Sequence, residues 1–385
     1  MKKILLIPLC ISLLIESQTF LPDAPDLNLK SYILIEPNTN TVIAEFNSNL
    51  EIVPASMTKI MTTYIAAEYI EDGAISNDEE VLISEKAWRM KGSRMFIEQG
   101  KKVTVSDLMK GIIIQSGNDA SVALAEYLGG DEQGFVADLM NPYAAQLGMS
   151  NTVFHDSSGL SDLNVTTAKD LSILTSNFIT KFPDTYILYK EKSFEFNNIK
   201  QLNRNKLLWR DETSDGVKTG HTDSAGYCLV GSAKRGEMRL ITVVAGSKSD
   251  NDRFLASQRL LEYGFKWYAT QKVLDANKEY KNIAIWGGQD KNLGLGVAED
   301  ISITLPRNSF KGLKVNYKYS NNIQAPISIG QKIGTLEITS NDEIVLVTDL
   351  VALSAVEAKG FFGRLWSKFV LWIYSLFGMT ESESS

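Results

Sequence analysis

The chain has 385 residues, 44% of them apolar, and its 39 basic and 46 acidic side chains leave a formal charge of −7. That composition describes globular domains, two or three at about 150 residues each, and excludes a disordered, collagenous or disulfide-stapled chain. The acidic balance without clustered cations excludes nucleic acid as a partner, and two histidines, His155 and His221, with no H-E-x-x-H leave a zinc centre short of ligands.

Lys2-Lys3 precede the apolar run Ile4 to Ile15 and polar Glu16-Ser17-Gln18. A basic start before about twelve apolar residues predicts a signal peptide over 1–20, cut within 17–28, on an exported chain. Cys10 belongs to that segment, so the mature chain keeps only Cys228 and forms no intrachain disulfide. Tyr32 to Glu36 and Thr41 to Phe46, joined by Pro37-Asn38-Thr39-Asn40, predict a hairpin. From Pro54 the apolar spacing becomes helical until Asp72-Gly73, and further helices are expected over 105–115, 119–128, 132–147, 167–181 and 252–268. Ala225 to Ala233 and Arg239 to Ala245 are apolar strands around the turn Lys234-Arg235-Gly236-Glu237. Strand pairs at both ends of a helical middle predict an α+β domain over 29–270, with an antiparallel sheet assembled from distant parts of the chain. Short β-rich runs separated by Gly, Asn and Asp predict a small all-β domain over 283–355.

At the C-terminus, Phe362, Leu365, Trp366, Phe369, Val370, Ile373, Leu376 and Phe377 recur on one helical stripe, opposite Arg364, Ser367 and Lys368. The segment 361–378 is short and carries two cations, which suits a helix lying in a membrane surface better than one crossing it. Its eight large apolar residues set an upper limit on the order of ten kcal/mol before ordering is subtracted.

Ser56-Met57-Thr58-Lys59 opens the first long helix, and Ser56 is the only serine with a lysine three places on. At that spacing a hydroxyl and an amine share one helix face, within hydrogen-bonding reach. The pair suits a nucleophile and its base, provided the lysine is kept partly neutral by burial or a second cation. An N-capping serine before a surface lysine produces the same four letters. Two further motifs bear on the choice. Ser116-Gly117-Asn118 sits at a junction between helices, and Lys218-Thr219-Gly220 precedes the strand expected from Ala225, its glycine admitting another backbone. S-x-x-K, S-G-N and K-T-G in this order match a signature shared by class A β-lactamases and penicillin-binding proteins.

With Pro54 to Lys59, Gln115 to Ala120, Gln201-Leu202-Asn203-Arg204-Asn205, Asp215 to Thr222 and Ala225-Gly226-Tyr227, the chain resembles the D-alanyl-D-alanine carboxypeptidases, the low-molecular-mass penicillin-binding proteins. The resemblance extends over nearly the whole chain and includes the β domain and the amphipathic terminus. It implies a penicillin-binding, β-lactamase-like serine transpeptidase domain with no cofactor, peptidoglycan stem peptides as substrate and β-lactams as covalent inhibitors. It further implies a place on the periplasmic face of the bacterial inner membrane, attached peripherally. On this resemblance Ser56 attacks the penultimate D-alanine carbonyl, Lys59 is the base, helped to neutrality by Lys218, Ser116 relays a proton to the departing amine, and Asn118 holds the substrate amide. Substrate lies along the edge beyond Lys218. The N–H groups of Ser56 and His221 form the oxyanion hole beside Gly220, and Arg253 with Thr219 takes the terminal carboxylate, Arg204 bracing the cleft as the competing candidate.

A class A β-lactamase shares these motifs but hydrolyses its acyl-enzyme with a glutamate in an E-x-x-L-N loop. The three Leu-Asn pairs here carry Ala24, Leu160 and Ile199 at the glutamate position. A catalytically weak peptidoglycan-binding or shape protein uses the same residues and is separated from the enzyme only by D-alanine release.

Overall fold

The computed structural model describes residues 21–360. The expected signal segment 1–20 and the amphipathic stretch 361–378 lie outside the described residues.

The hairpin β1 (Ser31–Glu36) and β2 (Thr41–Phe46) forms as expected. The helical middle carries two short strand pairs that the apolar pattern did not announce: β3 (Glu80–Leu82) with β4 (Lys102–Thr104), and the hairpin β5 (Ser193–Phe196) with β6 (Ile199–Leu202). Then follow β7 (Ser214–Thr222), β8 (Gly226–Arg235) and β9 (Met238–Ser247). The main sheet has the order β2-β1-β9-β8-β7, antiparallel throughout, so its first strand in the chain pairs with its last and β7 is an edge.

Alternation along the strands builds two cores. Ile33, Ile35, Val230, Ile241 and Val243 face the helical middle, while Tyr32, Leu34, Leu229, Leu240 and Val244 face the long helix Asp250–Trp267. With both faces covered, β1 is buried along its whole length. The first long helix, Lys59–Glu71, is buried from Lys59 to Ala67 in the first of these cores.

The C-terminal part is all β: β10 (Tyr268–Leu274) pairs with β13 (Ile301–Pro306), and β11 (Lys281–Ala284), β12 (Asn292–Gly296), β14 (Leu313–Tyr319), β15 (Lys332–Ser340) and β16 (Glu343–Ala352) form a sheet of order β11-β12-β16-β15-β14. Its strand pairing starts at Tyr268, directly after the long helix. Thr39 in the β1–β2 turn is hydrogen-bonded through its hydroxyl to that of Thr304 at 2.8 Å, and Arg307 donates to the carbonyls of Phe265 and Lys266 at that helix's C-terminus. Among the described residues no helix is long and apolar enough to cross a membrane.

Candidate active site

The turn that carries Ser56 is tighter than the helical spacing implies. Residues Ala55–Thr58 are a 3-10 turn and the α-helix starts at Lys59, so positions three apart nearly eclipse. Ser56 makes no side-chain cap, which removes the N-capping reading. Lys59 Nζ donates to Ser56 Oγ at 3.2 Å, to Asn118 Oδ1 at 2.7 Å and to the Ser158 carbonyl. Asn118 and Ser158 present obligate acceptors here. When the amine is neutral they take its two N–H groups, and the lone pair is left for the Ser56 hydroxyl proton.

Lys59 has no solvent exposure, and burial brings its pKa down from 10.5 to about 7. Asp156 and Asp119 oppose that change, and Arg204 assists it. Arg204 thus adds to burial, and so does Lys218, whose repulsion with Lys59 is mutual. Lys218 is itself buried and pushed well below the ordinary lysine range, first by burial, then by Lys59, Arg204 and Arg253. Two amines in one dry cleft disfavour a second proton.

Ser116, 2% exposed, ends the preceding helical stretch in the left-handed region at φ 66°, and Gly117 starts the next helix, Asn118–Gly129. The bend turns Ser116 and Asn118 out of the helix faces, as expected of that junction. Asn118 is held at both ends: besides accepting from Lys59, its Nδ2 donates to the Lys91 carbonyl at 2.7 Å. Next to it, Asp119 takes N–H bonds from Met95, Phe96 and Ile97 and so shapes the rim of the cleft.

Lys218-Thr219-Gly220 precedes β8 as expected, and it also lies within a strand of its own, β7, where Lys218 pairs with Val230 and Gly220 with Cys228. The strand was hidden because Gly216, Lys218 and Gly220 break its apolar pattern. A Cβ on Gly220 would stand 2.7 Å from the Pro54 carbonyl, so the glycine does admit another backbone, that of the Ser56 turn. His221 is exposed and stacks on Tyr227 at 4.0 Å.

Arg253, in the first turn of the long helix, lies behind β7. Its Nη1 donates to the Gly220 and Cys228 carbonyls at 3.0 and 3.2 Å, Nη2 pairs with Asp250, and Nε is buried with no partner. Arg204 is exposed and donates to the Gln115 carbonyl at 2.9 Å, tying the Gln201–Asn205 stretch to the Ser116 bend. Gln201 of that stretch donates to the Met95 carbonyl at 3.0 Å. Ser56, Lys59, Asn118, Lys218, Arg204 and Arg253 are thus linked by hydrogen bonds or by charge around one cleft.

The Ser158 carbonyl escaped sequence reasoning. Asp156 gathers N–H groups from Ser158, Gly159 and Ser161, and Glu132 holds Ser157 through both its N–H and its hydroxyl. The Asp156-Ser157-Ser158-Gly159 run was its only signal, because a backbone acceptor has no residue type. Among the described residues no group of three or more His, Cys, Asp or Glu side chains is placed to hold a metal ion.

Residues 18–249 match the family described as D-alanyl-D-alanine carboxypeptidase, and residues 268–358 match the C-terminal domain of penicillin-binding protein 5. D-alanyl-D-alanine carboxypeptidase DacC of Escherichia coli strain K12 is 39% identical over 365 residues, which cover 92% of this chain and 91% of that protein. The solved structure of penicillin binding protein 5 from Haemophilus influenzae superposes with a TM-score of 0.83 at 37% identity, covering 87% of this chain and 99% of that one. Penicillin-binding protein D2 from Listeria monocytogenes, solved in its ampicillin-bound form, is 30% identical with a TM-score of 0.58, over 63% of this chain and all of that one.

Proposed function

The chain belongs to the D-alanyl-D-alanine carboxypeptidase family, a serine hydrolase by membership, and we propose that it releases the terminal D-alanine of peptidoglycan pentapeptide stems through an acyl-enzyme on Ser56. The observation that carries the assignment is the contact of Ser56 Oγ with a buried lysine whose pKa is near 7. An amine that titrates there is neutral often enough to take a proton and basic enough to hold it.

In the proposed sequence Ser56 Oγ attacks the carbonyl carbon of the penultimate D-alanine while its proton passes to Lys59. The oxyanion is held by the N–H groups of Ser56 and His221; losing one such donor costs roughly 2.7–4 kcal/mol of transition-state stabilisation. Collapse breaks the C–N bond, and the leaving D-alanine amine receives its proton by way of Ser116. Water, deprotonated by Lys59, then attacks the ester and returns Ser56. Substrate adds along β7 by main-chain hydrogen bonds, the recognition mode open to an edge strand. Asn118 meets the peptide amide. Thr219 and the guanidinium of Arg253 take the terminal carboxylate, with Arg204 bracing the cleft. β-Lactams acylate the same serine.

Residues 29–270 form the catalytic unit in this reading and 283–355 the β domain. The chain is exported through segment 1–20 and rests on the membrane by 361–378, at the periplasmic face of a bacterial inner membrane.

Ser56→Ala is expected to abolish both labelling by a fluorescent penicillin and D-alanine release from a pentapeptide, with mass spectrometry of the wild type placing the adduct on Ser56. An adduct on Ser116 or elsewhere overturns the assignment, and labelling without D-alanine release points to a peptidoglycan-binding protein.

A further inference from the structure

We propose that Asp215, clamped by Arg239 and Tyr186, is a positioning residue that sets where β7 presents Lys218 and Gly220 to the Ser56 turn. The inference rests on the reading of that turn as the acyl-transfer site.

The β7–β8 register shifts between Ser214 and Gly216, so Asp215 is an extra residue with no partner across the ladder. Bulges of this kind re-aim a side chain and bend the strand. Here the carboxylate faces Arg239, which lies on β9 and spans β8 to reach it. Nη1 donates to Asp215 Oδ1 at 2.9 Å and Nη2 pairs with Oδ2 at 2.7 Å, a two-pronged grip. Ser232, on the strand between, accepts from Nη1 at 2.6 Å, and Tyr186 donates its hydroxyl to Asp215 Oδ1 at 3.1 Å. The pair is largely dry, with side-chain exposures of 13% and 18%, and the Tyr186 ring lies 5.6 Å from the guanidinium. A Cβ on Gly216 would come within 2.4 Å of the Tyr186 hydroxyl, so the strand and the clamp touch directly.

Two facts turn this clamp into a device for the site. As an edge strand β7 has ladder bonds on one side alone, so its placement on the other side depends on side chains. Over the sheet face at the clamp the packing is not solid: an open pocket of about 280 Å³, lined by Pro183, Tyr186, Ile187, Asp215 and Arg239 among others, gives the start of β7 room to move once the clamp is released. Further along, Gly220 rests on the Pro54 carbonyl and Lys218 stands in the cleft beside Lys59, where a shift of a few tenths of an ångström changes both contacts.

The test uses the full-length mature protein, with the penicillin adduct on wild-type Ser56 as the control. Asp215→Asn keeps the shape and removes the charge. Its second-order acylation rate at pH 7, counted per folded molecule, is expected to fall about tenfold, and the acid limb of the rate profile is expected to move to higher pH. The groups facing Lys59, namely Asp119, Asp156, Arg204 and Lys218, are unchanged in sequence, so a moved limb reports that β7 has withdrawn and let water in. Tyr186→Phe, which removes one hydroxyl and keeps the ring, moves both readouts the same way by less, and it carries the test if Asp215→Asn does not fold. A lower melting temperature with wild-type acylation and an unmoved limb makes the clamp merely structural and overturns the proposal. A wild type that takes no adduct on Ser56 sinks the carboxypeptidase reading, and the inference with it, whereas a labelled wild type with unaffected variants sinks the inference alone.

Discussion

A buried amine with a pKa near 7 makes the chemistry of Ser56 depend on pH with a definite sign. The neutral form is the base, so acylation is expected to rise as pH passes through about 7 and to fall about tenfold per unit below it. Stability shares the sign: between about 7 and the unfolded lysine value near 10.4, the unfolded chain binds the proton that folded Lys59 has lost, so folding gains as pH rises through that window. Rate profiles and thermal unfolding from pH 6 to 10 check the two statements separately; stability that falls with rising pH removes the buried neutral amine. Arg253 offers a second test at this scale. Its Nη1 braces the Gly220 carbonyl and, in the proposed reading, its guanidinium takes the substrate carboxylate, so Arg253→Ala should slow all acylation somewhat and should slow turnover of substrates with a free C-terminal carboxylate at least tenfold more than that of β-lactam esters lacking one. Equal losses remove Arg253 from the carboxylate.

Among the elements, the loop around Ser158 is as necessary as the helix that carries Lys59. Gly159 has φ +81°, and a Cβ there would lie 1.8 Å from the Ala55 carbonyl, in the turn that bears Ser56. Gly159→Ala is therefore expected to destabilise the protein by about 2 kcal/mol or more, read by denaturant unfolding, and to slow acylation in the fraction that stays folded, because the loop must back away from Lys59. Wild-type stability and labelling in that variant would show that the loop does not bear on the turn. Elements differed in how readily their residues announced them. The β1–β2 hairpin and the helix of Lys59 stand out because short apolar runs flank a Pro-Asn turn in the one and a long apolar stretch is closed by Asp72-Gly73 in the other. β7 does not, since an edge strand that buries Lys218 and spends two positions on glycine has no apolar period to show.

At the scale of the molecule, the two parts are joined by small contacts at both ends of one interface. The Thr39–Thr304–Thr270 hydroxyl chain hangs from buried Glu36, and Arg307 caps the C-terminus of the helix Asp250–Trp267. The last described backbone bond, Lys359 N–H to the Gly287 carbonyl at 2.8 Å, closes the β part before the amphipathic stretch begins. A chain ending at Gly360 keeps that bond. It is expected to stay soluble and to release D-alanine from a soluble pentapeptide at the full-length rate, while the full-length mature chain sediments with anionic lipid vesicles. Equal partitioning of the two refutes the anchor, and unfolding of the shorter one shows that 361–378 packs on the protein's own core.

The sequence by itself determined the chemistry and the order of its parts: one serine with a lysine three places on, then S-G-N, then K-T-G, in an α+β chain that ends in β runs. These are properties of residue types at short spacing, and short spacing survives without coordinates. Tertiary structure alone decided what acts on Lys59. Burial, the Asn118 oxygen and the Ser158 carbonyl come from segments about sixty and one hundred residues away, and the assisting cations, Arg204 and Lys218, belong to others again. Desolvation and backbone acceptors carry no residue letter, and a carboxylate such as Asp215 looks like any turn aspartate until β9 brings Arg239 across the sheet to meet it.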